Sequence, residues 1–78
     1  MYFDFGEALE ILKDGGHVSR EGWNGKGMYL TLQIPDEHSK MKQPYIYITP
    51  VGGQLVPWVA SQADLLATDW GKAIVESE

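Results

Sequence analysis

Phe5, Ala8, Leu9 and Leu12 recur at the i, i+3, i+4, i+7 spacing of one helical face. Asp4 stands just before that stripe as an N-cap, with Glu7 three residues on in the capping-box position. Gly15-Gly16 follows and supplies the left-handed stop that ends many helices. The period then shortens to two. "HVSR" reads as a short strand running into the glycine turn "EGWNGKG". "MYLTLQI" alternates, with Met28, Leu30, Leu32 and Ile34 toward the core and Tyr29, Thr31 and Gln33 on the other face. Pro35 to Pro44 bounds a polar stretch expected to be a mobile loop.

"YIYIT" resumes the alternation with Ile46 and Ile48 inward. "VGGQ" supplies a hairpin turn, and "QLVPWVA" returns as the partner strand. Pro57 removes one backbone donor, which puts that strand at a sheet edge or at a bulge. Ser61-Gln62-Ala63-Asp64 is a second capping box and opens a short helix through Ala67, after which "DWGKAIVE" closes the chain as a last strand. The pattern predicts an α+β fold: a small antiparallel sheet of about five strands, an N-terminal helix, and a short helix before the last strand. Residues 1–78 read as one domain.

A chain of 78 residues with no cysteine has neither disulfides nor thiolate metal sites, and a small core. Self-association is the expected supplement. Six Lys/Arg against eleven Asp/Glu give a net charge of −5, which disfavours nucleic-acid polymers held through their phosphates. A small anionic nucleotide stays open, because backbone N–H groups and helix N-termini hold phosphate locally. The N-terminus carries acids where a secretory leader needs cations, and no run approaches the roughly 20 apolar residues of a bilayer span. A soluble protein without membrane association is expected.

The candidate chemistry is sparse. His17 and His38 are the two histidines and show no metal-binding spacing; His17 reads as a surface residue and His38 as part of a solvated cluster with Asp36 and Glu37. No metal, cofactor or catalytic residue is assigned. Asp64 and Asp69 are close enough in sequence for an acid/base pair, but helix and turn capping explains both more simply.

The tryptophans are more informative. Trp23 sits among "EGWNGKG", outside every apolar stripe, so its ring is expected to serve a ligand and its loss to leave the fold intact. Trp58 and Trp70 flank packed segments and read as both core and pocket wall. Indole stacks on purines, while Asn24 and Gln62 carry the paired donor and acceptor groups that read a base edge or ribose. Ser61 and the first N–H groups of its helix make a candidate anion site, and Arg20 and Lys26 are the cations flanking the loop.

"RxGWNGKGM" from Arg20 to Met28, "PYI" from Pro44 to Ile46 and "VPWVASQADLLATDW" from Val56 to Trp70, in that order, resemble the Thoeris anti-defense 2-like domain family. "DFGEALEILKDG" is similar too, so the likeness covers nearly the whole chain apart from residues 35–43 and the last few. The resemblance implies a phage or prophage protein that counters bacterial immunity in the cytoplasm of the infected or lysogenic host. It implies a sponge, which binds cyclic ADP-ribose-type signals made by Thoeris TIR proteins, or cyclic dinucleotides, and does not cleave them. It implies a homotetramer with pockets between protomers.

The matching loop positions are Trp23, Asn24 and Gly25; those of the C-terminal motif are Trp58, Ser61, Gln62, Asp64 and Trp70. Arg20 and Met28 bound the first motif and complete the expected ligand-binding set. The segment from Pro35 to Gln43 is short here, which affects ligand choice if longer versions close the pocket. Two rival readings stand beside the sponge: a small phosphodiesterase acting on the same signal through Asp64, Asp69 or His17, and a protein–protein module that uses the tryptophans and binds no nucleotide. Competing with an effector calls for nanomolar affinity, about −12 kcal/mol, which favours an enclosed site shared between subunits.

Overall fold

The N-terminal stripe folds as expected, into helix α1 over Phe5–Lys13. Asp4 Oδ1 accepts the Glu7 N–H at 3.0 Å and so satisfies one of the open donors of the first turn. At the other end Gly16 N–H reaches the Ile11 carbonyl and Gly15 N–H the Leu12 carbonyl, which together form a Schellman closure. That closure needs a left-handed residue, and Gly15 supplies it with φ of 92°. This computed structural model describes residues 1–23 and 27–75.

Among the described residues five strands follow: β1 Val18–Arg20, β2 Tyr29–Gln33, β3 Tyr45–Thr49, β4 Val56–Pro57 and β5 Trp70–Lys72, with helix α2 over Gln62–Leu66 between the last two. Every strand pair is antiparallel, and the order across the sheet is β4-β3-β2-β1-β5. The first four strands form a meander. The chain then passes through α2 to the opposite edge and lays β5 against β1. The α+β architecture read from the residue pattern is the one observed.

Alternation decides which side chains reach the core. Leu30 pairs across from Ile48 and Leu32 from Ile46, all four on the face covered by α1. Tyr29, Thr31 and Gln33 fall opposite Thr49, Tyr47 and Tyr45 on the other face. There His17 joins them, with its Nδ1 at 2.9 Å from Thr31 Oγ1 and its ring edge-on to Tyr29. Among the described residues the fully buried core is Ala8, Leu12, Val18, Leu30 and Trp70. Phe5, Leu9, Ile46, Ile48 and Trp58 pack around it half-buried.

Three local expectations are refined. Ile34, expected inward with Leu30 and Leu32, is 61% exposed, because β2 ends at Gln33 and Ile34 lies beyond the paired ladder. The returning hairpin strand narrows to Val56–Pro57, at the sheet edge where a proline without an N–H is tolerated. The last strand stops at Lys72. The polar stretch after Pro35 carries its own bonded turn: Asp36 Oδ1 accepts from His38 N–H and Ser39 Oγ, and Asp36 N–H donates to Ser39 Oγ.

Leu30→Ala is expected to lower stability by about 2–5 kcal/mol by opening a cavity under α1. Gly15→Ala is expected to cost about 1–2 kcal/mol by forcing an L-residue into the left-handed region. Urea unfolding at fixed protein concentration checks both.

Candidate functional site

The two sequence motifs meet at one end of the sheet. In β1 the side-chain period of two puts Arg20 on the same face as Val18, the face that carries the helices, and Arg20 stands opposite Trp70 of β5. An arginine on a core-facing position needs carboxylates, and it finds two. Its Nη1 donates to Asp64 Oδ1 at 2.9 Å and its Nε to Asp69 Oδ1 at 2.8 Å. The three side chains are 19%, 13% and 29% exposed, so the cluster is largely shielded from solvent.

Each carboxylate has a second task. Asp64 closes the α2 capping box both ways: its Oδ2 accepts from the Ser61 N–H, and its own N–H donates to Ser61 Oγ. Asp64 Oδ1 also accepts the Trp23 indole N–H at 3.3 Å. Asp69 Oδ2 accepts the Gly22 N–H at 2.8 Å, and the Asp69 carbonyl accepts the Glu21 N–H. The expectation that Asp69 caps a turn of its own is corrected: it binds the entry of the glycine loop, 47 residues away in sequence.

Behind this clasp stands an aromatic group centred on Trp70. Its indole is fully buried, its Nε1 donates to the Asp64 carbonyl at 3.0 Å, and three rings rest against it. Phe5 lies at 5.2 Å between centroids, Trp23 at 5.4 Å edge-on and Trp58 at 6.0 Å edge-on. Edge-to-face contacts of this kind add about 0.5–1.5 kcal/mol each beyond burial. Two expectations change here. Trp23 is half-buried against the core instead of free of it, because its ring covers Trp70. Trp70 offers no exposed face, so its own ring is core; Trp23 and Trp58 are the indoles with open surface.

The remaining expected residues are placed as follows. Ser61 and Gln62 are exposed at the start of α2. At that helix end the capping box occupies the Asp64 N–H and sets a carboxylate beside the first turn. Met28 is separate from the clasp: it lines an open depression with Ser19, Tyr29 and Ala73. Asn24 and Gly25, with Lys26, lie outside the described residues. Asp69 is a site residue outside the expected set, because nothing in the spacing of "ATDW" signals a partner at Gly22.

Electrostatically the clasp sets one guanidinium against two carboxylates, a net charge of minus one. Burial pushes the Asp64 carboxyl up, but the Ser61 backbone N–H, the Arg20 guanidinium and the Trp23 indole N–H outweigh it and hold it below the ordinary 3.8. The Arg20 guanidinium is the main reason that Asp69 is also lowered; burial opposes it and the Gly22 N–H assists. Arg20 is raised in turn, chiefly by its bond to Asp69 and then by its bond to Asp64. Both acids are therefore ionised across the neutral range, and Arg20 is already paired.

The residues of this clasp and of its aromatic backing all fall within the stretch 3–72 that matches the family model of the Thoeris anti-defense 2-like domain. The chain belongs to the Thoeris anti-defense 2-like family. A relative, the Thoeris anti-defense 2 protein of Bacillus phage SP01, is 40% identical over 79 aligned positions, covering 85% of this chain and 89% of the relative. This member of an anti-defense family thus carries the family domain over nearly its whole length.

A depressed carboxyl stabilises the fold above its unfolded value and loses that contribution as the pH falls through the lower folded value. Thermal stability is expected to decline as the pH drops below the ordinary 3.8 of Asp64 and Asp69. The double variant Asp64→Asn/Asp69→Asn should start lower at neutral pH and show a flatter acid limb in melting curves. Trp23→Ala should cost roughly 2 kcal/mol by uncovering Trp70, as read by chemical denaturation.

Proposed function

We propose that this protein is an anti-defense protein that binds a cyclic nucleotide immune signal and holds it uncleaved, keeping the signal from its effector in the bacterial host cytoplasm. The signal class is a cyclic ADP-ribose type, glycocyclic ADP-ribose foremost, with cyclic dinucleotides as further ligands. Family membership and the name of the phage relative support the anti-defense role.

The observation that carries the binding reading, as against cleavage, is how the clasp uses its ionisable groups. A hydrolytic acid/base pair needs one carboxyl raised toward neutrality and free to exchange a proton. Asp64 and Asp69 are both lowered and both hold protein donors on their oxygens. Their work is scaffolding. What they support is a pair of partly open indoles, Trp23 and Trp58, with the exposed amide of Gln62 nearby in the same motif. Those are groups for stacking on a base and reading its edge.

A site shared between copies, as in a homotetramer, fits two further features. The described core is small, while Leu55, Val56, Val59 and Leu66 stay exposed along the segment that leads into and through α2. The depressions described on the single chain are lined by residues other than Trp23, Trp58 and Gln62. Packing a second copy on this segment would wall off the indoles.

The test is to mix the protein with glycocyclic ADP-ribose, isolate the complex, release the ligand by heat and identify it by mass spectrometry. Intact ligand in stoichiometric yield is expected; linear or hydrolysed product would overturn sequestration. Trp58→Ala should weaken binding roughly tenfold to a hundredfold, the loss of one stacked base. Calorimetry showing no heat with cyclic ADP-ribose isomers or cyclic dinucleotides would instead leave the tryptophans as a protein-binding surface.

A further inference from the structure

Asp69 is outside the ligand-binding set that the motifs single out, yet the entry to the glycine loop is tied to it at three points. Its Oδ1 takes the Arg20 Nε at 2.8 Å, its Oδ2 the Gly22 N–H at 2.8 Å, and its carbonyl the Glu21 N–H at 3.1 Å. Gly22 is suited to that approach by its lack of a side chain. A Cβ there would stand 3.1 Å from Asp69 Oδ2 and 3.5 Å from Arg20 Nη2. Its backbone is not in the left-handed region, so close approach is the demand on it.

The next residue is Trp23. Its N–H closes a turn onto the Arg20 carbonyl at 3.3 Å, and its indole N–H is held by Asp64. A second strap backs the same turn: Tyr2 donates its hydroxyl to Glu21 Oε1 at 2.9 Å, while Phe3 exchanges both backbone bonds with Trp70. Trp23 is thus held directly by Arg20 and Asp64 and rests on the Trp70 ring, while Asp69 acts on it through its two neighbours in the turn, Gly22 and Arg20.

We infer that Asp69 is a positioning residue for ligand binding: by holding Gly22 and Arg20 it sets the direction in which the Trp23 indole leaves β1. This rests on the binding reading above for its last step only. A carboxylate is required because both partners are donors. In Asp69→Asn, one side-chain oxygen becomes an NH2 that must face Gly22 N–H or Arg20, and the charge on Arg20 loses a partner. Bonds to charged groups are the stronger ones, and losing one that fixes a loop shifts its local opening by about tenfold or more.

The experiment compares Asp69→Asn with Gly15→Ala, which destabilises α1 at its far end and touches no part of the clasp. Three readouts are taken well below either melting point. They are hydrogen exchange at the Gly22 amide, acrylamide quenching of Trp23 in a Trp58→Phe background, and calorimetry with glycocyclic ADP-ribose. Asp69→Asn should raise Gly22 exchange and weaken binding by about tenfold or more each, with increased Trp23 quenching and an unchanged number of sites per chain. Gly15→Ala should leave all three near wild type.

If Gly22 exchange and Trp23 quenching respond alike in the two variants, the positioning role is overturned. It is overturned equally if the loop loosens and the affinity stays at the wild-type value. Failure of the wild-type protein to bind glycocyclic ADP-ribose would remove the ligand step and count against the binding reading itself, while exchange and quenching still decide whether Asp69 sets Trp23. Should Asp69→Asn fail to fold, Gly22→Ala presses on the same contact from the loop side. It should move every readout in the same direction by less, and should be non-additive with Asp69→Asn where both variants fold.

Discussion

The indole of Trp70 is enclosed on every side, and the two halves of the chain are assembled on it. Its backbone pairs with Phe3 on one edge and stands opposite Arg20 on the other. Its ring receives Phe5 from α1, Trp23 from the glycine loop and Trp58 from the segment between β4 and α2. Its N–H is satisfied by the Asp64 carbonyl, so a large aromatic group is buried without an orphan donor. With so few fully buried side chains among the described residues, one such ring supplies a large share of the apolar area removed from water. Elements distant in sequence are thereby brought into a single cluster.

The Arg20–Asp64–Asp69 clasp solves a problem that this packing creates. Placing β5 beside β1 brings an arginine onto the helix-covered face, and an unpaired guanidinium there would be costly. The two carboxylates answer it from the stretch just before Trp70 in sequence, one in the α2 capping box and one just before β5. The same bonds then fasten the Gly22 backbone and the Trp23 indole. Charge neutralisation, helix capping and loop placement are therefore one network, and a change to any member is felt by the others.

This arrangement also keeps the Arg20 charge within the protein. The chain carries a net charge of −5, and Arg20 is committed to its own acids. Among the described residues, what the motif end exposes is the part-open indoles of Trp23 and Trp58 and the Gln62 amide. Indoles held this rigidly have few rotamers left to freeze when a flat surface docks on them.

The helix stripe of Phe5, Ala8, Leu9 and Leu12, the period-two runs around Leu30 and Ile46, Gly15 as the helix stop, Pro57 at an edge and the Ser61–Asp64 capping box were all legible in the residues. These features are local, since each depends on the period of an element or on a bond spanning three or four positions. The family was legible too, because the order of two tryptophan-bearing motifs survives in a single chain. The tertiary structure alone decided that Trp23 covers Trp70, that Arg20 is bound to two acids, that Ile34 falls beyond the ladder and that Asp69 holds Gly22. Those contacts join residues up to 49 positions apart, and no local periodicity encodes a partner at that distance. They exist because the chain returns through α2 to lay β5 beside β1, and that pairing is settled only when the whole sheet closes on its core.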